Sequence, residues 1–140
     1  MKGRLMIKQS TILVVDDETH ILHVVSLKLR NAGYEIITAE DGEEGLAKAL
    51  SHKPDLIITD YQMPFMTGLE LCIKLKEHDE TAGTPALMLT ARGLSLESEY
   101  FEQTNIAGVL TKPFSPREIL MRVEELLSPQ TTTNEVKKAS

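Results

Sequence analysis

Leu56-Ile57-Ile58-Thr59-Asp60 decides how this chain folds, together with its upstream counterpart Ile12-Leu13-Val14-Val15-Asp16-Asp17. Each is a short apolar run, rich in β-branched residues, that stops at an acid. Such runs predict strands buried on both faces, because a strand with one wet face would alternate apolar with polar. Three further runs follow the pattern, at Glu35 to Ala39, Ala86 to Leu89 and Gly108 to Leu110. Segments with helical spacing separate them. This alternation predicts an α/β fold built on a parallel sheet with helices on both faces.

The helical segments carry their own punctuation. Ile21, Leu22, Val25 and Leu29 recur at helical spacing over about Thr19 to Ala32, and Gly33 follows where a left-handed cap suits the end. In Asp41-Gly42-Glu43-Glu44 the Asp41 side chain is placed to cap a second helix, with Glu44 reaching back to it and Leu46, Ala47 and Leu50 facing inward. A third helix over about Thr67 to Lys76 buries Leu71, Cys72 and Leu75. The fourth, over Leu94 to Gln103, is weakened by Gly93 and Ser95 and is expected to be short and mobile. Ser115-Pro116-Arg117-Glu118 opens the last helix with an N-cap serine, a first-turn proline and a third-position glutamate, and Ile119, Leu120, Val123, Leu126 and Leu127 follow at core spacing. After Ser128-Pro129 the composition turns polar, as in a frayed tail or linker stub.

The bulk properties narrow the function classes. A chain of 140 residues fits one domain with a core that needs no staples. Its formal charge of −6 and the absence of a Lys/Arg cluster argue against direct nucleic-acid binding. The basic start, Lys2, Arg4 and Lys8, precedes an apolar stretch that ends at Asp16-Asp17, too short to span a membrane or direct export. One cysteine, Cys72, rules out an internal disulfide and, set among Leu69, Leu71 and Leu75, is expected as a core thiol. A soluble cytoplasmic protein is expected.

In open α/β sheets the ligand site lies beyond the carboxyl ends of the strands. Asp16 and Asp17 follow the first strand, Asp60 the third, Thr90 the fourth and Lys112 the fifth. Three carboxylates gathered at one edge repel one another unless a cation sits among them, which predicts a hard-metal site. Taken singly, Asp16 and Asp17 would pass for helix caps, Asp60 and Thr90 for turn residues and Lys112 for a solvated lysine. Their coincidence at one sheet edge favours a site for a metal ion and an anion.

These residues resemble the receiver domain of two-component response regulators. The resemblance covers about Ser10 to Leu127 and rests on Val14-Val15-Asp16-Asp17-Glu18, on Asp60 with Met63-Pro64 and Gly68, on Thr90-Ala91 and on Lys112-Pro113-Phe114. It implies a flavodoxin-like (βα)5 fold, a doubly wound five-stranded parallel sheet of strand order 2-1-3-4-5. Residues 1–9 are then an N-terminal extension, 10–127 the receiver domain and 128–140 a flexible tail. It implies that Asp60 accepts a phosphoryl group from a sensor histidine kinase, a phosphotransfer protein or a small acyl phosphate. Mg²⁺ would be held by Asp17, Asp60 and the backbone carbonyl of Gln62, with Asp16 nearby through water. Lys112 and Mg²⁺ would supply positive charge, and Thr90 would bind a phosphoryl oxygen and act as the switch. The protein would be a regulatory phosphoacceptor with self-catalysed phosphotransfer and dephosphorylation, a monomer or phosphorylation-dependent dimer that acts on a downstream protein target. With no effector domain after Leu127, it resembles stand-alone regulators or an excised receiver. The face made by the fourth helix, fifth strand and last helix is the family's usual dimer surface.

The pattern departs from the family at Val109, where receivers commonly carry Tyr or Phe three residues before the lysine. A branched aliphatic has no ring to swing, so the signal is expected to travel through the segment from Arg92 to Gln103. Gln62 and Arg92 occupy positions that tune dephosphorylation in this family, although Arg92 also reads as a solvated loop residue. An alternative, a Mg²⁺-dependent phosphatase using an aspartyl-phosphate intermediate as in haloacid-dehalogenase-like enzymes, needs an acid two residues after the nucleophile, and Gln62 stands there. A nucleotide-binding domain would need a P-loop or a G-x-G-x-x-G turn, and the chain has neither. His20 and His23 are expected on the exposed face of the first helix, and His52 and His78 in surface loops.

Overall fold

The computed structural model describes residues 9–91 and 102–128. Five strands, β1 (Thr11–Val15), β2 (Glu35–Ala39), β3 (Leu56–Asp60), β4 (Ala86–Thr90) and β5 (Ile106–Thr111), alternate with α1 (Thr19–Asn31), α2 (Gly42–His52) and α3 (Gly68–Lys76), and α4 (Pro116–Leu127) follows β5. The strands are parallel throughout, as the apolar runs predict, and lie in the order β2-β1-β3-β4-β5 that the resemblance implies. The chain leaves β1 for the edge at β2, then crosses back to β3 on the other side of β1. That reversal opens a crevice where β1 and β3 end, so topology alone locates the site.

Period-two alternation divides the apolar residues of the strands between two cores. Ile12, Val14, Leu56, Ile58, Leu87 and Leu89 face α1 and α4, meeting Leu22, Val25, Leu29, Ile119 and Val123. Leu13, Val15, Ile57, Ala86 and Met88 face α2 and α3, meeting Ala49, Leu71, Cys72 and Leu75. Strands β3 and β4 are buried along their whole length, and burying each large aliphatic side chain is worth about 1.5–3 kcal/mol. Cys72 lies in the second core, where burial pushes its thiol up to about 12, the inert core thiol that its neighbours predict.

The caps form largely as expected. Ser115 Oγ accepts from the Glu118 N–H at 3.1 Å while Glu118 accepts from the Ser115 N–H at 2.8 Å. Thr67 and Glu70 make the same reciprocal pair ahead of α3. Gly33 takes φ +104° just past α1, the left-handed turn that glycine tolerates.

Four expectations need correction. Asp41 accepts from the Glu44 N–H, but the Glu44 carboxylate accepts from the Glu40 N–H at 2.8 Å and not from Asp41. Ala47 is exposed, and α2 turns Gly42, Gly45 and Ala49 inward instead. Gly45 sits against β1, where a Cβ would lie 3.0 Å from Val15 Cγ2, so small residues let this helix approach the sheet closely. β5 is longer than Gly108 to Leu110, because its ends are held by main-chain pairing although Ala107 and Thr111 are exposed. His52 closes α2 and does not lie in a loop. The fourth helix expected over Leu94 to Gln103 lies outside the described residues except for 102–103, which are helical.

Candidate functional site

Strand register brings the predicted residues together. Val15 pairs with Thr59, which sets Asp16 level with Asp60 across the β1–β3 seam. Asp60 pairs with Leu89, and Thr90, one residue further, pairs with Thr111 next to Lys112. Backbone bonds fix these ends: the Asp16 N–H donates to Ala39 O at 3.1 Å, the Tyr61 N–H to Leu89 O at 2.8 Å and the Lys112 N–H to Thr90 O at 2.7 Å. The Lys112–Pro113 peptide bond is cis.

The loop after β3 is drawn tightly against the strand. The Gly68 N–H donates to Tyr61 O at 2.8 Å, and a Cβ at Gly68 would lie 2.2 Å from the Asp60 carbonyl oxygen. Only glycine lets α3 begin there. Met63 is buried, whereas Gln62 is exposed and Phe65 stands fully in solvent with φ +71°.

Lys112 Nζ lies 3.0 Å from Asp60 Oδ1, 3.5 Å from Asp16 Oδ2 and 3.5 Å from Glu18 Oε1. Asp16 and Asp60 are buried and Asp17 is exposed, and single oxygens of the three carboxylates lie within 4.8 Å of one another. One ammonium thus faces three carboxylates, with the exposed Asp17 beside them in the acid trio. Burial pushes the Asp16 carboxyl up to about 6; the Glu18 N–H donating to Oδ1 opposes this, and the negative field of Asp60 adds to it. Burial also raises Asp60, against the hydrogen bond from Lys112. For Lys112 burial works downward, but the hydrogen bond to Asp60 and the fields of Asp16, Asp60 and Glu18 outweigh it and hold the ammonium charged above its ordinary range.

Two buried polar atoms here have no hydrogen-bond partner, Asp16 Oδ2 and Thr90 Oγ1. Asp16 Oδ2 has the Lys112 ammonium at 3.5 Å as an ion pair but no hydrogen bond, whereas Thr90 Oγ1 has no polar partner among the described residues, and a buried polar group left unpaired costs about 1–3 kcal/mol. The carboxylate oxygen, in a cluster of three acids, fits a divalent cation that prefers oxygen donors. The hydroxyl, at the next strand end but one, fits an anion.

Glu18 was not among the residues singled out for a site role. Its side chain makes no capping bond to α1 and turns to Lys112 instead. An exposed acid at a helix start carries no signal of its own in sequence. His20 and His23 are exposed on α1 as expected, and the acid trio is the metal-competent cluster found among the described residues. An apolar cleft of about 480 Å³ adjoins Lys112, lined by His20, Ile21, Val24, Ala91, Pro113 and Phe114. Val109 is half-buried against the second core, with its carbonyl accepting from Arg122 Nη1 at 3.1 Å. Arg92 lies outside the described residues.

Comparison with known proteins agrees with this geometry. A family model described as the response regulator receiver domain matches residues 12–124. The chain is 42% identical over 116 residues to the alkaline phosphatase synthesis transcriptional regulatory protein PhoP of Bacillus subtilis, covering 83% of this chain and 48% of that protein. It is 38% identical over 117 residues to the phosphate regulon transcriptional regulatory protein PhoB of Pseudomonas aeruginosa, covering 84% and 51%. The chain thus spans about half the length of these curated relatives. Among solved structures, the chemotaxis protein CheY4 of Vibrio cholerae superposes with a TM-score of 0.79 at 38% identity, over 86% of this chain and all of that one. With the sheet order, the acid trio and the family match in agreement, the chain belongs to the receiver domains of two-component response regulators.

Proposed function

We propose that Asp60 is the phosphoacceptor of this receiver, taking a phosphoryl group from a histidine kinase or a phosphotransfer protein. The observation that carries this is the Lys112 ammonium 3.0 Å from Asp60 Oδ1, at the edge of an acid trio. A carboxylate attacks a phosphoryl group against charge repulsion, so catalysis here is positioning plus fixed positive charge. Lys112 meets the oxygens on which negative charge grows, and Thr90 Oγ1, unpaired and at an adjacent strand end, donates to a phosphoryl oxygen. Asp17, Asp60 and the Gln62 carbonyl, with Asp16 nearby, are the donors that would hold Mg²⁺, which would supply further positive charge to offset the repulsion of the transfer. Self-catalysed transfer and hydrolysis complete the cycle.

The receiver spans residues 10–127, and the signal it emits is a change of surface. Phosphorylation adds about −1.5 to −2 charge, which draws Thr90 and Lys112 toward the phosphoryl group. With Val109 in place of an aromatic ring, the change is read as leaving through residues 92 to 103, of which only 102 and 103 lie among the described residues. A downstream protein partner fits better than nucleic acid, since the net charge is −6. Among the described residues no helix is long and apolar enough to cross a membrane, and we place the protein in the cytoplasm. The phosphatase alternative gains nothing from the fold or from the relatives, and Gln62 offers a carboxamide where that chemistry needs a general acid.

Incubation with acetyl phosphate and Mg²⁺, followed by intact mass, tests the proposal. The wild type is expected to gain one phosphoryl mass and Asp60→Asn none. Equal gains in both would remove Asp60 from this role.

A further inference from the structure

We infer that Glu18 is a charge gate on the phosphodonor: it engages Lys112 from the solvent side and disfavours small dianionic donors relative to donors of lower charge. This rests on Asp60 being the phosphoacceptor. Glu18 stands at the N-cap of α1, where a side chain ordinarily accepts from the first turn, yet it makes no such bond. Its N–H is tied to Asp16 Oδ1 at 2.9 Å, which anchors the residue at the mouth of the site, and its Oε1 lies 3.5 Å from Lys112 Nζ.

Exposure orders the three acids around that ammonium. The side chains of Asp16 and Asp60 are 0% and 7% exposed, that of Lys112 is 23% and that of Glu18 is 62%. Of the carboxylates on that ammonium, Glu18 is thus the one that solvent, and an anion arriving from it, can reach. Glu18 is also outside the acid trio whose oxygens gather within 4.8 Å, so its charge is not engaged by the cation that the trio suits. What remains for it is to occupy Lys112 and repel anions. A residue that lowers the rate with one class of donor while leaving another nearly untouched determines specificity.

The chemistry of transfer allows charge to be varied with little change in size. From acetyl phosphate, an Asp60 oxygen forms the new P–O bond as the P–O bond to acetate breaks, and the electron pair leaves with acetate. From phosphoramidate, the P–N bond breaks and ammonia leaves with the pair, already fully protonated in the zwitterion. The first donor arrives as a dianion and the second with one net negative charge. The second also has the P–N linkage that a phosphohistidine presents, but the gate acts on net charge and not on the linkage.

The test is the second-order phosphorylation rate of Glu18→Gln, Glu18→Asp and wild type with both donors, alongside Mg²⁺ titration. Glu18→Gln is expected to raise the acetyl phosphate rate about threefold to tenfold at low salt, and the phosphoramidate rate by about half as much on a logarithmic scale. The difference should fade toward about 0.5 M salt, where exposed charges are screened. Glu18→Asp should stay near wild type, and Mg²⁺ affinity should move less than about twofold, since Glu18 is outside the trio. Unchanged rates, or equal rises with both donors, would overturn the gate. So would a fall in both rates together with Mg²⁺ affinity, which would put Glu18 in the cation cluster. If neither donor labels Asp60 even in the wild type, the phosphoacceptor proposal fails, a result distinct from any of these.

Discussion

Removing Mg²⁺ should make the stability of this protein fall as pH rises through 6, and replacing Asp16 should abolish most of that fall. Asp16 is fully buried and its carboxyl is held at about 6, against an ordinary 3.8. Between those values the folded chain binds a proton that the unfolded chain has released. Stability from this group is therefore fully present below about pH 4 and is lost as pH rises through about 6. At 1.36 kcal/mol per pKa unit the loss is about 3 kcal/mol. Asp60, also raised, acts in the same direction. Lys112 is raised as well, but its contribution is lost only at alkaline pH, outside this window. Glu44, lowered chiefly by the Glu40 N–H, acts oppositely, but its contribution is lost only at acid pH below its ordinary value. A cation that binds only the folded state restores stability, by about 2.7 kcal/mol at a hundredfold excess over Kd. The assay is urea unfolding followed by far-ultraviolet circular dichroism at pH 4.5, 6 and 7.5, with chelator or with Mg²⁺. At pH 7.5 in chelator, Asp16→Asn should be more stable than wild type by about 1–3 kcal/mol, with a smaller gain from Mg²⁺. A wild type whose metal-free stability is level from pH 4.5 to 7.5 would refute the reasoning. So would an Asn variant that is weaker in chelator yet responds fully to Mg²⁺.

Two glycines yield sharper steric predictions. Gly68→Ala would force a Cβ to within 2.2 Å of the Asp60 carbonyl oxygen, backbone that cannot rotate away. It should cost about 2–3 kcal/mol by urea unfolding, and acetyl phosphate labelling should slow by about 10²-fold, as a misplacement near 1 Å does; labelling at the wild-type rate would dissociate the loop from the acceptor. At Gly42 a Cβ would meet Met66 Cβ at 2.8 Å as well as its thioether, so a rotamer change alone cannot clear it. Glycine to alanine in a helix normally stabilises by about 0.5–1 kcal/mol, and here the sign should reverse; a stabilised Gly42→Ala would show that Met66 is not seated there in solution.

Much of the fold is legible in sequence because burial on both faces leaves a plain mark. Leu56 to Asp60 and Ala86 to Thr90 are fully buried strands, and they open as unbroken apolar runs, Leu56 to Ile58 and Ala86 to Leu89. β5 is less legible, since an edge strand with exposed Ala107 and Thr111 is extended by pairing and not by hydrophobicity. Helix α2 hid its inner face because Gly42, Gly45 and Ala49 pack by being small, a property that apolar periodicity does not register. The acids, Thr90 and Lys112 were legible because parallel strands deliver their carboxyl ends to one edge. Glu18 was not, because its role depends on a 3.5 Å approach to a lysine nearly a hundred positions away, which no local pattern encodes. The left-handed, exposed Phe65 was equally silent, since nothing in Met63-Pro64-Phe65-Met66 demands a positive φ.

The most direct test of Asp60 as phosphoacceptor is to trap the product chemically. The protein is labelled with acetyl phosphate and Mg²⁺, reduced with borohydride, digested and sequenced by tandem mass spectrometry. An aspartyl phosphate is reduced at its acyl carbon, so the account predicts homoserine at position 60 and aspartate at positions 16 and 17. Homoserine at 16 or 17, or a label that survives borohydride on a histidine, serine or threonine, would contradict it.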